Sequence, residues 1–300
     1  MKIIGAGMSG LLAGQFFRAS APVIHERQSS LPNNHKALLR FRTESVSNLT
    51  GIGFEKVEVR KMISFKGVHF NESNIFFDNL YSQKVIGQVI GRSTLNLKPS
   101  SRYIAPESFI ARASTGLEIA YNSGLTLTDN EPIISTIPVN ILAEILGYKS
   151  LITPLETRGI WTIKLKIKSK KCKVYQTVYY PSLEESLYRL SITGDQVIAE
   201  FCSKINKYED TEKLFSLLRK DFGISIGLED MNSSKFSYQE YGKLIPCPDN
   251  TVRDFIVWAT RNHNIYSLGR WGTHRQILMD DVVNDLRIIQ KLIETNGYGR

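Results

Sequence analysis

Apolar residues open the chain at Ile3 and Ile4, yield to Gly5-Ala6-Gly7-Met8-Ser9-Gly10, and resume as Leu11-Leu12-Ala13 and Phe16-Phe17. This pattern predicts a short buried strand, a glycine turn and a helix. Pro22-Val23-Ile24-His25 is a second short apolar run, closed by Glu26 and Arg27. Far downstream, Glu131 to Pro138 reads as a buried strand stopped by a proline, preceded by the alternating Leu125-Thr126-Leu127-Thr128. Asn264 to Leu268 reads as another short strand, ending in Gly269-Arg270, and an amphipathic helix follows from about Met279 through Ile293. A different texture fills the gaps. Lys56-Val57-Glu58-Val59 and Gly67-Val68-His69-Phe70 are short strands among polar turns, and Trp161 to Lys168 alternates strictly. Tyr175 to Pro181, Leu187 to Ile192 and Val197 to Phe201 continue as strands, before an amphipathic helix capped at Asp210 and running to about Leu218.

The opening turn carries chemistry. In Gly-x-Gly-x-x-Gly the first glycine, Gly5, makes the tight turn, Gly7 lets backbone approach a pyrophosphate, and Gly10 lets the helix pack closely on the strand. Amides of Ala6, Gly7, Met8 and Ser9 at the helix start then face the phosphates. Glu26 closes the second strand sixteen residues after Gly10, where a carboxylate accepts both hydroxyls of an adenosine ribose, with Arg27 beside it. Strand, glycine turn, helix, strand and terminal acid in this order point to an ADP-containing dinucleotide.

Taken with the middle and terminal segments, the chain resembles the flavin-dependent amine oxidase, protoporphyrinogen oxidase and UDP-galactopyranose mutase superfamily. The likeness rests on Gly5 to Gly10 with Glu26, on Ile134-Ser135-Thr136-Ile137-Pro138, and on Gly269-Arg270 followed by Met279-Asp280-Asp281. It implies a noncovalently held FAD. By the resemblance Thr136 and Pro138 belong to the cofactor site, the backbone near Gly269 and Arg270 faces the ribityl chain, and the helix start at Met279 and Asp280 faces the flavin pyrimidine. It also implies an α/β architecture: a Rossmann-like FAD-binding domain assembled discontinuously from 1–50, 99–154 and 241–300. A smaller α+β substrate domain containing an antiparallel sheet, from 51–98 and 155–240, would roof the flavin. One departure stands out, because the glycines that many members carry after the ribose acid are replaced by Gln28-Ser29-Ser30-Leu31-Pro32-Asn33-Asn34. Arg40 and Arg42, on one face of a strand if they alternate, serve either the cofactor (Arg42 foremost) or an anionic substrate.

Composition narrows the rest. At 300 residues, 42% hydrophobic and 22% charged, the chain has the balance of a globular protein rather than a disordered, collagen-like or disulfide-framed one. No run approaches a membrane span and no secretory leader is visible, so a soluble, cytoplasmic protein is expected. Cys172, Cys202 and Cys247 and the five histidines have no metal-ligand spacing, so no metal is expected. The net charge of +9 suggests an anionic, small-molecule or nucleotide-like partner. Six lysines between Lys164 and Lys173 supply much of it. A solvated edge strand explains them first; a nucleic-acid-facing strand is the alternative. Tyr179, Tyr188 and Arg189, with His35, Arg40 and Trp271, are the candidate substrate contacts, since aromatic walls exclude water and a guanidinium orients an anion. No residue declares itself catalytic. The resemblance implies an oxidoreductase that takes hydride from an amine or amino-acid-like group, or alternatively a non-redox isomerase like the mutase.

Overall fold

A computed structural model describes residues 1–31, 39–90, 95–124, 131–149, 155–167, 174–225, 234–247 and 250–297. His35, the expected strand at Leu125–Thr128 and the lysines from Lys168 to Lys173 lie outside them. The chain divides into two compact units, the first made of 1–55, 103–156 and 246–300, the second of 56–102 and 157–245.

The first unit opens with β1 (Lys2–Ile4), α1 (Met8–Phe16), β2 (Val23–His25), β3 (Arg40–Phe41) and α2 (Ser45–Thr50). The chain then builds part of the second unit with β4 (Glu55–Phe65), β5 (Val68–Phe70) and α3 (Ile75–Ile86), and leaves it along β6 (Ser100–Ile104). Back in the first unit come α4 (Phe109–Ser114), β7 (Glu118–Ala120), β8 (Ile133–Ser135) and α5 (Val139–Ile145). The second excursion contains β9 (Thr157–Lys166), β10 (Val174–Tyr179), β11 (Leu187–Thr193), β12 (Gln196–Phe201), α6 (Lys207–Phe222) and β13 (Lys235–Leu244). The chain ends in the first unit with α7 (Thr251–His263), β14 (Ile265–Ser267), α8 (Gly269–Gly272) and α9 (Met279–Gly297).

In the first unit five strands form a wholly parallel sheet in the order β14-β8-β1-β2-β7. Both faces must be covered because the central strands bury apolar residues on each. Ile3, Ile134, Tyr266 and Leu268 face one core with Leu11 and Leu12 of α1 and Val282, Val283 and Leu286 of α9. Ile4, Ile133 and Ile265 face the other, with Leu142 of α5 and Phe255 and Ala259 of α7. Strands that all point one way gather their carboxyl ends, and the loops after them, at one edge, where ligands bind in open α/β sheets.

The second unit is built on a largely antiparallel sheet, β13-β9-β12-β11-β10-β4, in which only β10 and β4 run parallel and β5 hairpins back on β4. Its apolar face, with Ile163, Leu165, Val178, Leu190, Val197 and Ala199, packs on Leu214 and Leu218 of α6. A separate core forms around Phe77, Tyr81 and Val85 of α3 with Tyr179 and Tyr188.

Four local expectations are corrected. The helix near Asp210 starts a turn earlier, because Asn206 caps the Tyr208 amide and the Asp210 carboxylate accepts from the Asn206 amide. The Gly269-Arg270 segment is not the end of a strand but the first turn of α8. Arg42 lies beyond β3, so the alternation that would align it with Arg40 ends at Phe41. The strand expected at 56–59 extends to Phe65, since β10 pairs with it from Glu58 to Ile63.

Candidate functional site

The carboxyl edge of the parallel sheet is shaped by its glycines. Gly5 ends β1 at φ +91°, which a side chain rarely adopts. A Cβ at Gly10 would collide with the Gly5 carbonyl oxygen, so that glycine sets how closely α1 approaches β1. Gly7 is different. It caps α1 at φ −64° and ψ −179°, a conformation open to any residue, and nothing lies within 4 Å of where its Cβ would be. The fold does not require a glycine there, and among the described residues no side-chain hydrogen bond caps that helix end. The turn therefore presents clear space beside uncapped N–H groups, the arrangement an anion needs.

Glu26 stands at this turn. Its Oε2 accepts from the Ala6 amide at 2.7 Å and its Oε1 from the Gln28 amide at 2.9 Å, which fixes the carboxylate while each oxygen keeps a lone pair for a hydroxyl donor. Arg27 beside it is exposed. On the other flank the Thr136 hydroxyl donates to the Ile4 carbonyl at 2.9 Å, tying the turn after β8 to β1, and Pro138 follows as the cap of α5.

Gly269, at φ +83°, lies so close to Ser9 that a Cβ would meet its hydroxyl, so α8 is packed against the start of α1. This brings in Arg270 and Trp271, both half-buried. Arg270 donates to the Ile277 carbonyl at 3.2 Å, and among the described residues no carboxylate pairs with it. Burial pulls its pKa below the usual arginine value, the mark of a cation short of a counter-charge.

The start of α9 is used differently. Asp280 is buried, and its carboxylate accepts from the Arg42 amide at 3.0 Å, the Thr43 amide at 2.8 Å and the Thr43 hydroxyl at 2.7 Å. The Arg42 guanidinium pairs with Asp281. Asp280, Asp281 and Arg42 thus belong to a clamp that fastens the chain after β3 to α9, while Met279 packs against the core. Arg40 is half-buried in β3, opposite Ile104.

The remaining candidates lie in the second unit. Tyr179 is buried, edge-on to Tyr81 at 5.4 Å, and Tyr188 is wholly buried with its hydroxyl donating to Glu200 at 3.0 Å. Both rings belong to the core. Arg189 holds Glu200 through two guanidinium nitrogens, Nη2 at 2.6 Å and Nε. Burial raises the Glu200 pKa, but the Arg189 and Lys243 charges outweigh it and hold the carboxyl below its usual range. Sequence reasoning missed Glu200 because its partners sit on another strand, in register across β11 and β12. It missed Lys84 for the same reason. That side chain is buried, with Nζ donating to the carbonyls of Tyr180, Ser182 and Leu187 at 2.6–2.7 Å.

No protein-family model and no curated protein matches the chain. Solved structures do. A reduced UDP-galactopyranose mutase aligns over 98% of this chain and 93% of its own, at 14% identity and a TM-score of 0.64. An oxidoreductase from Methanosarcina mazei aligns over 97% and 100%, at 10% identity and 0.57. A protein from Pyrococcus furiosus aligns over 98% and 97%, at 14% identity and 0.53. At these identities the likeness is one of fold, and the chain has the fold that this mutase and this oxidoreductase share.

Proposed function

We propose that the chain is an FAD-dependent enzyme, and that it is an oxidoreductase. The observation that carries this reading is Gly7, a glycine the fold does not need, set beside uncapped helix amides with Glu26 next to it. These residues fit an FAD: the amides from Gly7 onward meet the pyrophosphate, Glu26 the adenosine ribose, and Arg270 supplies positive charge to an anionic group. When bound, the cofactor supplies a two-electron acceptor for a hydride. The protein's part is to hold it, to exclude water with walls such as Trp271, and to orient the substrate. An amine or amino-acid-like substrate fits best, because an amine that arrives neutral needs no dedicated base, and the described residues offer no acid–base pair at the turn.

A second reading, a non-redox isomerase, is favoured by the fold shared with the mutase. It needs cations for a diphosphate, and it ranks second because Arg42 and Arg189 are already neutralised by Asp281 and Glu200. The test is an anaerobic flavin absorbance titration of the purified protein. Bleaching by an amine or amino acid supports oxidation. Turnover of a sugar nucleotide only after chemical reduction selects the isomerase, and a chain that takes up no FAD overturns both readings.

A further inference from the structure

Within the first unit, α7 and α9 enclose a cleft of about 490 Å³ along β14. None of the nucleotide-turn residues lines it. The cleft has a polar end and an aliphatic mouth, and the placement of the polar end follows from the chain path. One residue, Asn264 at φ +54°, joins α7 to β14, so the two run antiparallel, and the Thr260 hydroxyl donates to the Ile265 carbonyl at 2.9 Å. Ser267, two strand residues or about 6.6 Å further on, therefore lies opposite the first half of α7, where Arg253 sits. Arg275, which follows α8, pairs with Asp285 in the first half of α9, and both line the cleft.

This end is polar. Ser267 lines the cleft, and its Oγ is buried without a hydrogen-bond partner among the described residues; so is the Oγ of Ser135, its register neighbour on β8. Buried hydroxyls left unpaired are uncommon and point to a missing partner. Arg253 is exposed and has no carboxylate partner among the described residues. The mouth of the cleft is aliphatic and open, with Val257 41%, Ile288 56% and Leu292 43% exposed.

We propose that this cleft binds a soluble amphipathic carboxylate, with its head on Ser267 and Arg253 and its apolar chain between Val257, Ile288 and Leu292. The size suits a small-molecule pocket, for which about 300–1,000 Å³ is usual. Asp285 does not repel the head, because the Arg275 guanidinium pairs with it. The inference is independent of FAD, since no residue is shared with the nucleotide turn.

The probe is decanoate, titrated calorimetrically into the full-length protein, with decanol and acetate as comparators. Saturable one-site binding of decanoate, weaker binding of decanol and none of acetate are expected. Arg253→Ala should weaken decanoate about tenfold and leave decanol unchanged, and Ser267→Ala should weaken decanoate. Ile288→Trp, at an exposed position that leaves the melting temperature unaltered, should block decanoate and decanol alike. The proposal is overturned if decanoate gives no saturable heat, or if Ile288→Trp and Arg253→Ala leave its affinity unmoved. It is equally overturned if the protein is a dimer that Ile288→Asp dissociates, because the cleft is then covered by a second copy.

Discussion

The nucleotide turn of the first unit and the polar clusters of the second handle buried charge in opposite ways. At the turn, among the described residues, α1 begins without a side-chain cap and the half-buried Arg270 donates to the Ile277 carbonyl with no carboxylate pairing with it. In the second unit Glu200 is met by Arg189 and Tyr188, Asp221 by Tyr180 and His69, and Lys84 by three carbonyls. Buried polar groups that satisfy one another hold a structure together, whereas groups left waiting mark where something else binds. Removing a member of the first kind should lower stability and spare cofactor binding; removing one of the second kind should do the reverse.

The largest effect is expected at Glu200. Glu200→Ala leaves the Tyr188 hydroxyl and a guanidinium only 26% exposed without their acceptor. Breaking such a pair costs about 3–5 kcal/mol, and the partial exposure of Arg189 places the loss near the lower figure. Urea unfolding measures it, and the folded fraction should retain its FAD. Glu200→Gln, which keeps the acceptor, should lose less. Equal losses from the two variants would mean that the carboxylate charge, and not the hydrogen-bond acceptor, carries the stabilisation.

Gly7→Val is the converse case. The backbone conformation admits valine and the space beside it is empty, so the FAD-free protein should unfold within about 1 kcal/mol of the parent. FAD affinity should fall at least about a hundredfold, or about 2.8 kcal/mol, because the side chain occupies the phosphate position. A variant that retains a full flavin spectrum would sink the reading of the turn. Arg270→Gln comes next, with FAD affinity down about tenfold, or about 1.4 kcal/mol, and stability unchanged or slightly improved as an uncompensated charge disappears.

These contrasts also explain what was legible in the sequence. The turn from Gly5 to Gly10 and the strands of alternating residues at 161–166 and 187–192 are encoded by neighbours along the chain, and could be read directly. The helix α3 could not, because Asp78, Ser82 and Lys84 are buried on it and break its apolar periodicity. Their reasons are distant: Asp78 accepts from the Leu95 amide, and Ser82 donates to the Gln88 carbonyl. β13 was missed because its residues 235–243 are mostly polar and it is paired only with β9. Tyr188 and Arg189 looked like a substrate wall for the same cause, since the carboxylate that claims both is eleven or twelve residues away on the next strand.

The last prediction concerns Lys84, and it tests how completely a satisfied cluster is satisfied. Burial lowers its pKa from 10.5 to about 8, while in the unfolded chain the amine keeps its ordinary value. Between those values the unfolded chain binds the extra proton, so stability should rise as pH increases from about 8 to about 10.5 and level off above it; below about 8 both states are charged and this group contributes no slope. The three carbonyl acceptors favour the ammonium and offset part of the burial cost, so the rise should be about 1–2 kcal/mol rather than the full linkage value. Urea midpoints of the parent and Lys84→Met across this range isolate it, because other groups titrate in both proteins. If the parent's stability falls relative to Lys84→Met over that interval, the carbonyls more than repay the burial of the charge, and Lys84 is held as tightly as Glu200.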